Sequence, residues 1–299
     1  MQCDYFDAQV CRSCTLMGTG YAAQLRDKQA RVAATLERRA PFARWLPPAP
    51  SVESGFRNKA KLVVGGRKGA PTLGILDPQG RGVDLRHCGL HEPGLAEAIP
   101  VLAQLIAASG LTPYDVPARQ GELKHLIVTH SPDDELMIRL VLRSPGQLPR
   151  VQELLGELMR VLPTTRVVSV NLQPEHKAVL EGSEEAVLTT ADTLPMRIND
   201  LTLHLPPRSF FQTNTAVAAA LYRQSQVWIG EASPATVWDL YCGVGGFALH
   251  AAAAGRAVLG IESSPAALKG ARRSAAEHDA QVTFQVGDAS AYLVGRTPP

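Results

Sequence analysis

No stretch of this 299-residue sequence approaches about eighteen consecutive apolar residues, so it offers no segment to cross a membrane as a helix. Its first residues, MQCDYFDAQV, lack the basic-then-apolar order of a secretory leader, which leaves the cytoplasm as the expected compartment and no membrane partner. There is no repeat of fixed period and no low-complexity tract. Nor is one sign of charge in excess: 30 Lys and Arg stand against 28 Asp and Glu, and a formal charge of +2 points to no class of partner by itself. Cysteine is scarce and odd in number, with five residues, which argues against a disulfide framework and toward metal binding or catalysis.

The composition that remains, 45% hydrophobic and 19% charged, is that of a globular chain able to bury a sizeable core, and the length allows two domains. Charge is uneven locally. Residues 26–61 hold Arg26, Lys28, Arg31, Arg38, Arg39, Arg44, Arg57, Lys59 and Lys61 against Asp27, Glu37 and Glu53, which suits either a solvated helix face or a polyanion footprint. Residues 1–20 show no periodicity, yet contain Cys3, Cys11 and Cys14 in a C-x7-C-x2-C spacing, with Cys88 following in LRHCGL. Four thiols fit a tetrahedral zinc or a [4Fe-4S] cluster, and spacing alone does not separate the two; His87 reads as a surface residue.

Leu25, Val32 and Leu36 recur at helical spacing among charges and predict an amphipathic helix from Tyr21 to about Arg39, closed by the linker APFARWLPPAPS. Between 51 and 200, the runs KAKLVVGG, TLGILD, LKHLIVTH, ELMIRLVLRS, TRVVSVNLQP and KAVLEG read as strands, and 94–109 and 148–162 as helices. The order, about ββαββαββ, predicts an α+β domain with helices packed on one sheet. In GFRNKAKLVVGG, strand alternation puts Arg57, Lys59 and Lys61 on one face, as phosphate contacts or as solubilising charge. From 201 to 299 the pattern becomes helix, strand TVWDLYC, glycine turn, helix, strand AVLGIES, helix, strand VTFQVGD. This predicts parallel strands in half of a doubly wound sheet, the first strand at its centre and ligands beyond the carboxyl ends. Ending after three strands, it would leave that first strand one unpaired edge.

The turn WDLYCGVGGF places Asp239 at the end of the first strand and Gly243, Gly245 and Gly246 where backbone passes close to a ligand, while Glu262 ends the next strand. The glycine rhythm is not G-x-G-x-x-G, which disfavours a pyrophosphate. S-adenosylmethionine carries an adenosine and a cationic sulfonium without phosphate, and a cleft lined by Asp239, Glu262 and Asp288 suits it. Cys242, directly after a parallel strand, reads as a small buried residue rather than a nucleophile. In SFFQTN, core packing accounts for Phe210 and Phe211 better than for Gln212.

The stretches QCDYFDAQVCRSC, GFRNKAKLVV, GLTPYDVPARQGELKHLIVT, SFFQTN and WDLYCGVGGFALH resemble the bacterial 23S rRNA (uracil-C5)-methyltransferases, most closely the short RlmC type without an N-terminal TRAM domain. The resemblance implies a Rossmann-like methyltransferase domain over 201–299, a central α+β RNA-binding domain over 51–200, and an iron-sulfur segment with a basic helix over 1–50. It implies that Cys3, Cys11, Cys14 and Cys88 hold a [4Fe-4S] cluster, and that Gln212, Tyr241 and Glu262, with Asp288 less firmly tied, contact S-adenosylmethionine. Tyr241 stands where the family usually has phenylalanine. The implied partner is 23S rRNA and the implied reaction is methylation of C5 of a uridine, at a position 747-type site.

In that family a cysteine thiolate adds to C6 of uracil, C5 attacks the methyl group, and a glutamate takes the C5 proton. The Asn-Pro-Pro loop, nucleophile and base that do this follow the third strand, and no residue of this sequence matches them. The expectation is therefore a C-terminally truncated methyltransferase with little or no turnover. Two other readings compete: a non-catalytic RNA-binding iron-sulfur protein, and, more weakly, an iron-sulfur redox protein.

Overall fold

The computed structural model describes residues 2–297 and 299. The N-terminal segment has one short helix, α1 (Asp4–Asp7), before α2 (Tyr21–Leu36). The α2 helix forms where its periodicity predicts, ending three residues early, but no residue of it is buried and Val32 and Leu36 lie exposed. What holds it is polar: the Tyr21 hydroxyl accepts from the Ser51 amide at 2.7 Å and Gln29 donates to the Leu46 carbonyl at 3.3 Å, folding the Pro-rich linker back along the helix.

The central domain comprises β1 (Lys59–Arg67), β2 (Ala70–Leu76), β3 (Gly82–Asp84), α3 (Pro93–Ser109), β4 (Leu123–His130), β5 (Leu136–Leu142), α4 (Leu148–Val161), β6 (Thr165–Leu172) and β7 (Glu184–Val187). Its seven strands lie in the order β3-β2-β1-β4-β5-β6-β7, antiparallel except that β5 and β6 run parallel, as a crossover through α4 requires. Alternation decides the two faces. Ala60, Leu62 and Val64 of β1, Leu126 and Val128 of β4, and Ile138 and Leu140 of β5 pack against Leu95, Ile99, Leu102 and Ile106 of α3 and Val151, Leu154 and Leu158 of α4. Lys59, Lys61 and Val63 therefore take the other face, as the pattern predicts.

The expected strand at KAVLEG does not form. Residues 177–182 are a loop, and the strand that pairs with β6 is β7, starting at Glu184. The loop is drawn out by Lys124, whose ammonium binds the Gln173 and Glu175 carbonyls and so turns the chain away before it can pair. Next comes a hairpin of β8 (Leu194–Ile198) and β9 (Leu201–Leu205), joined through Asn199 and Asp200 with Asn199 at φ +51°. The expected domain boundary at 200 falls inside this turn. Leu194, Met196, Ile198, Leu203 and Leu205 pack with the C-terminal helices, so the hairpin belongs with the second core.

That core contains α5 (Thr215–Ala232), β10 (Thr236–Leu240), α6 (Gly246–Ala251), β11 (Ala257–Glu262), α7 (Pro265–Glu277), β12 (Val282–Val286) and α8 (Ala289–Leu293). Strands β10, β11 and β12 are parallel and adjacent in that order. Among the described residues β10, expected at the middle of a sheet, pairs with β11 alone. Met137 and Val167, on the helix-free face of the central sheet, join this second core and tie the two regions together. No helix among the described residues is long and apolar enough to cross a membrane.

Candidate functional site

At the carboxyl end of the parallel sheet the glycine turn is built by backbone conformation first. Tyr241, Gly243 and Gly245 all have positive φ, at +64°, +56° and +82°. For Tyr241 this conformation is strained, a feature that gathers at functional sites. At Gly245 it is joined by close packing, since a Cβ there would lie 3.0 Å from the Phe284 ring.

Three acidic residues then close the turn. The Asp239 carboxylate accepts from the Ala248 amide at 2.8 Å, fixing the start of α6 to the end of β10. Burial pushes Asp239 up to about 6; the bond from Ala248 opposes this and the charge of Glu262 adds to it. Glu262, at the end of β11, accepts from the Gly243 amide at 3.1 Å and, through its other oxygen, from the Ser264 amide at 2.8 Å and the Ser263 hydroxyl at 3.1 Å. Asp288 follows β12 and caps α8, accepting from the Ala291 amide at 2.7 Å. The Tyr241 ring is 65% exposed, and its hydroxyl pairs with Ser290 at 2.8 Å.

Tyr241, Glu262 and Asp288 therefore meet at one edge, through the turn, the Gly287 amide bound to the Glu262 carbonyl, and the Tyr241–Ser290 pair. Gln212 is placed differently. It lies half-buried in the loop before α5, and its carbonyl accepts from the Asn58 side chain at 2.9 Å. Asn58, 1% exposed, also donates to the Thr215 hydroxyl at 2.8 Å, and its amide binds the Thr213 carbonyl at 3.0 Å. Among the described residues no hydrogen bond joins Gln212 to the other three; the central domain anchors its loop. Phe211 is buried in the second core and Phe210 is 70% exposed. Sequence reasoning missed the anchoring role of Asn58, although its place beside Lys59 at the start of a strand was visible.

Cys242 is buried and its thiol is pushed up to about 12, by burial first and then by the charges of Asp239 and Glu262. Held protonated, it is no nucleophile.

The four other cysteines are half-buried and reduced. The segment carrying three of them docks on the loop of the fourth, with the Tyr5 hydroxyl accepting from the His87 amide at 3.3 Å. Burial raises the Cys14 thiol, and the charges of Cys88, Cys11 and Cys3 raise it further; burial also raises Cys88, opposed by a backbone hydrogen bond and reinforced by Cys3 and Cys11. The thiols thus lie within reach of one another's field, with no acidic competitor among those influences. Among the described residues, however, no group of three or more His, Cys, Asp or Glu is disposed as a site for a metal ion. His87 is exposed, as expected of a surface residue.

Residues 237–296 match the family described as a methyltransferase domain. The 23S rRNA (uracil(747)-C(5))-methyltransferase RlmC of Halothiobacillus neapolitanus is 48% identical over 279 residues, covering 93% of this chain and 73% of that protein. The protein of the same name from Pectobacterium carotovorum subsp. carotovorum is 43% identical over 298 residues, covering 99% of this chain and 79% of its own length. Among solved structures, the Pyrococcus abyssi tRNA (uracil-54, C5)-methyltransferase in complex with S-adenosyl-L-homocysteine superposes with a TM-score of 0.74 at 24% identity, over 92% of this chain and 65% of that one. That likeness establishes the α/β methyltransferase fold, and the relatives' identity over nearly the whole chain goes further: the chain belongs to the RlmC family of 23S rRNA (uracil-C5)-methyltransferases.

Proposed function

We propose that the chain binds S-adenosylmethionine at the carboxyl ends of β10, β11 and β12 and serves methylation of C5 of a uridine in 23S rRNA, at the 747-type position named for its relatives. The observation that carries this reading is the turn at 241–246. It is strained, glycine-lined and held shut by Glu262, and beside it burial pushes Asp239 up to about 6. A cation brought there would favour the ionised form of both carboxylates, which is the electrostatic match to a sulfonium rather than to a phosphate. Glu262 has lone pairs beyond those given to Gly243 and Ser264, and these suit the ribose hydroxyls. The exposed Tyr241 side chain offers a face to the ligand, Gln212 an amide on a loop whose backbone carbonyl Asn58 holds, and Asp288 a strand-end carboxylate. S-adenosylmethionine supplies the activated methyl group.

Residues 51–200 are assigned to RNA binding, in keeping with Arg57, Lys59 and Lys61 along one face, and 1–50 to a cluster-bearing segment. The thiols of Cys3, Cys11, Cys14 and Cys88 would be the donor set for [4Fe-4S], a cluster held by four thiolates. Bound there, the cluster would order a segment that has almost no core of its own. A ribosomal RNA substrate makes the cytoplasm the working compartment. No residue here is assigned as nucleophile or base.

Two measurements test the proposal. Calorimetry with S-adenosylhomocysteine is expected to show binding that Glu262→Gln weakens about tenfold, on the scale of one charge-assisted hydrogen bond of ~1.5 kcal/mol. Absence of binding to the unsubstituted chain defeats the cofactor assignment. Methyl-labelled S-adenosylmethionine and unmodified 23S rRNA fragments then read turnover. Transfer of label to C5 of a uridine is the expected product, and label found only at another position would overturn the methylation reading.

A further inference from the structure

On the helix-free face of the central sheet a pocket of about 370 Å³ opens over β1, β2 and β4. Its floor is Val63 and His125, which are cross-strand partners, and Leu76, Val116 and Leu180 form its walls. The lip, residues 176–180, is the loop that replaces the expected strand.

Lys124 holds that lip in place. Its ammonium donates to the Gln173 carbonyl at 3.0 Å, to the Glu175 carbonyl at 2.6 Å and to the Gln173 side chain, which uses all three of its protons. It also stands 4.9 Å over the ring of Tyr114, whose hydroxyl pairs with His176 Nδ1 at 2.9 Å. These groups are committed to building the wall. His125 is not: among the described residues neither ring nitrogen has a hydrogen-bond partner, and while Nδ1 is sealed from solvent and pocket alike, the half-buried ring leaves Nε2 to face the pocket. Burial, with the nearby Lys124 charge, pushes His125 down to about 4, so the ring is neutral at working pH and offers both a donor and an acceptor.

Charge runs from the pocket in one direction. Lys177, paired with Glu175 at 2.8 Å, stands on the lip, and the exposed Lys61 and the half-buried Lys59, which burial pushes down to about 8, follow Val63 back along the same face of β1. The strand begins beside Asn58, which holds the Gln212 loop. Five residues separate Asn58 from Val63, roughly 17 Å at a strand rise of about 3.3 Å per residue. A purely apolar ligand would leave the His125 nitrogen unpaired and find no use for the lysines. A flat heteroaromatic ring with a phosphate tail satisfies both.

We infer that this pocket receives one unstacked nucleobase of a single-stranded RNA segment, with its phosphates along Lys61 and Lys59 and the target uridine a few nucleotides away at the cofactor loop. The inference rests on RNA being the substrate. It makes the pocket a register mark, fixing which uridine along the strand reaches the methyl donor.

The test is an abasic scan. A 23S rRNA hairpin fragment spanning the target uridine is compared, by fluorescence anisotropy, with a set in which each loop nucleotide in turn lacks its base. One abasic position other than the target is expected to weaken binding about tenfold, the scale of one stacked base. Ala178→Trp, at an exposed lip position where folding is not at risk, should weaken intact RNA by a similar factor and abolish the further effect of that abasic site. His125→Phe, which keeps a ring and loses the nitrogens, should give a smaller loss at the same nucleotide. Intact RNA bound equally well by both variants, or losses that simply multiply, would overturn the pocket while leaving the RNA reading in place. Failure of the unsubstituted chain to bind any fragment overturns both.

Discussion

Strands β5 and β10 each carry a charge among apolar neighbours, and the molecule treats the two in opposite ways. All seven residues of β5 are buried, between β4 and β6, whereas all five of β10 are only partly covered and pair on one side. Arg139 of β5 is 1% exposed and enclosed by carboxylates: it donates to Glu185 at 2.9 and 2.7 Å and to Glu181 at 2.8 Å, and Ser169 and Asn171 bind Glu185 in turn. Burial works against its charge, but those bonds outweigh it and raise Arg139 above its ordinary value. Asp239 of β10 has one amide for a partner and a second carboxylate nearby, and is driven toward the neutral acid. A charge held by several carboxylate bonds is architecture, even with Arg139 Nη1 left without a hydrogen bond among the described residues. A charge left short of partners at a strand end is available to a ligand.

The largest effect that would sharpen this contrast is loss of the β5 charge. Arg139→Ala leaves Glu181 and Glu185 buried without their cation and is expected to cost about 3–5 kcal/mol in urea unfolding. A loss under about 1 kcal/mol would show that the network is not closed as described. Next comes Asp239→Asn, with the opposite sign. The folded state holds the Asp239 proton more tightly than the unfolded chain, so this group's contribution is fully present below about pH 4 and is lost as pH rises through about 6. The amide keeps an acceptor for Ala248 and removes that loss, so at pH 8 the variant should gain up to ~3 kcal/mol, with no gain at pH 4. An equal gain at both pH values would refute the burial explanation. Smallest is Glu157→Ala in the exposed Glu157–Arg160 pair of α4, where thermal melting should not move measurably.

Much of the fold is legible in the sequence because periodicity and burial coincide. LKHLIVTH becomes β4 residue for residue, and the helices at 93–109, 148–161 and 265–277 fall within a residue or so of expectation. The failures have specific causes. KAVLEG carries a strand's composition, but the tether that removes it from the sheet is a lysine some fifty positions earlier, which no local window contains. β3 is three residues long and gives too little pattern to read. The β8–β9 hairpin was readable from LPMRI and LTLHL flanking Asn199 and Asp200, a pair suited to a tight turn. At the site, Glu262 follows from the strand-turn pattern and Tyr241 from the family resemblance, and the structure brings them together with Asp288. That Asp288 spends one oxygen on a helix cap, and that Gln212 hangs from Asn58, depend on tertiary placement and leave no local signature.

The Asn58 contacts also bear on synthesis and assembly. The loop that presents Gln212 is shaped by a residue 154 positions upstream, so a C-terminal fragment could form its parallel strands and still present that amide in no fixed pose. Contacts of such sequence separation form late and slowly. On the proposed reading of Gln212, competence to grip the donor waits on the docking of both halves, and a nascent polypeptide would acquire its sheet before its affinity.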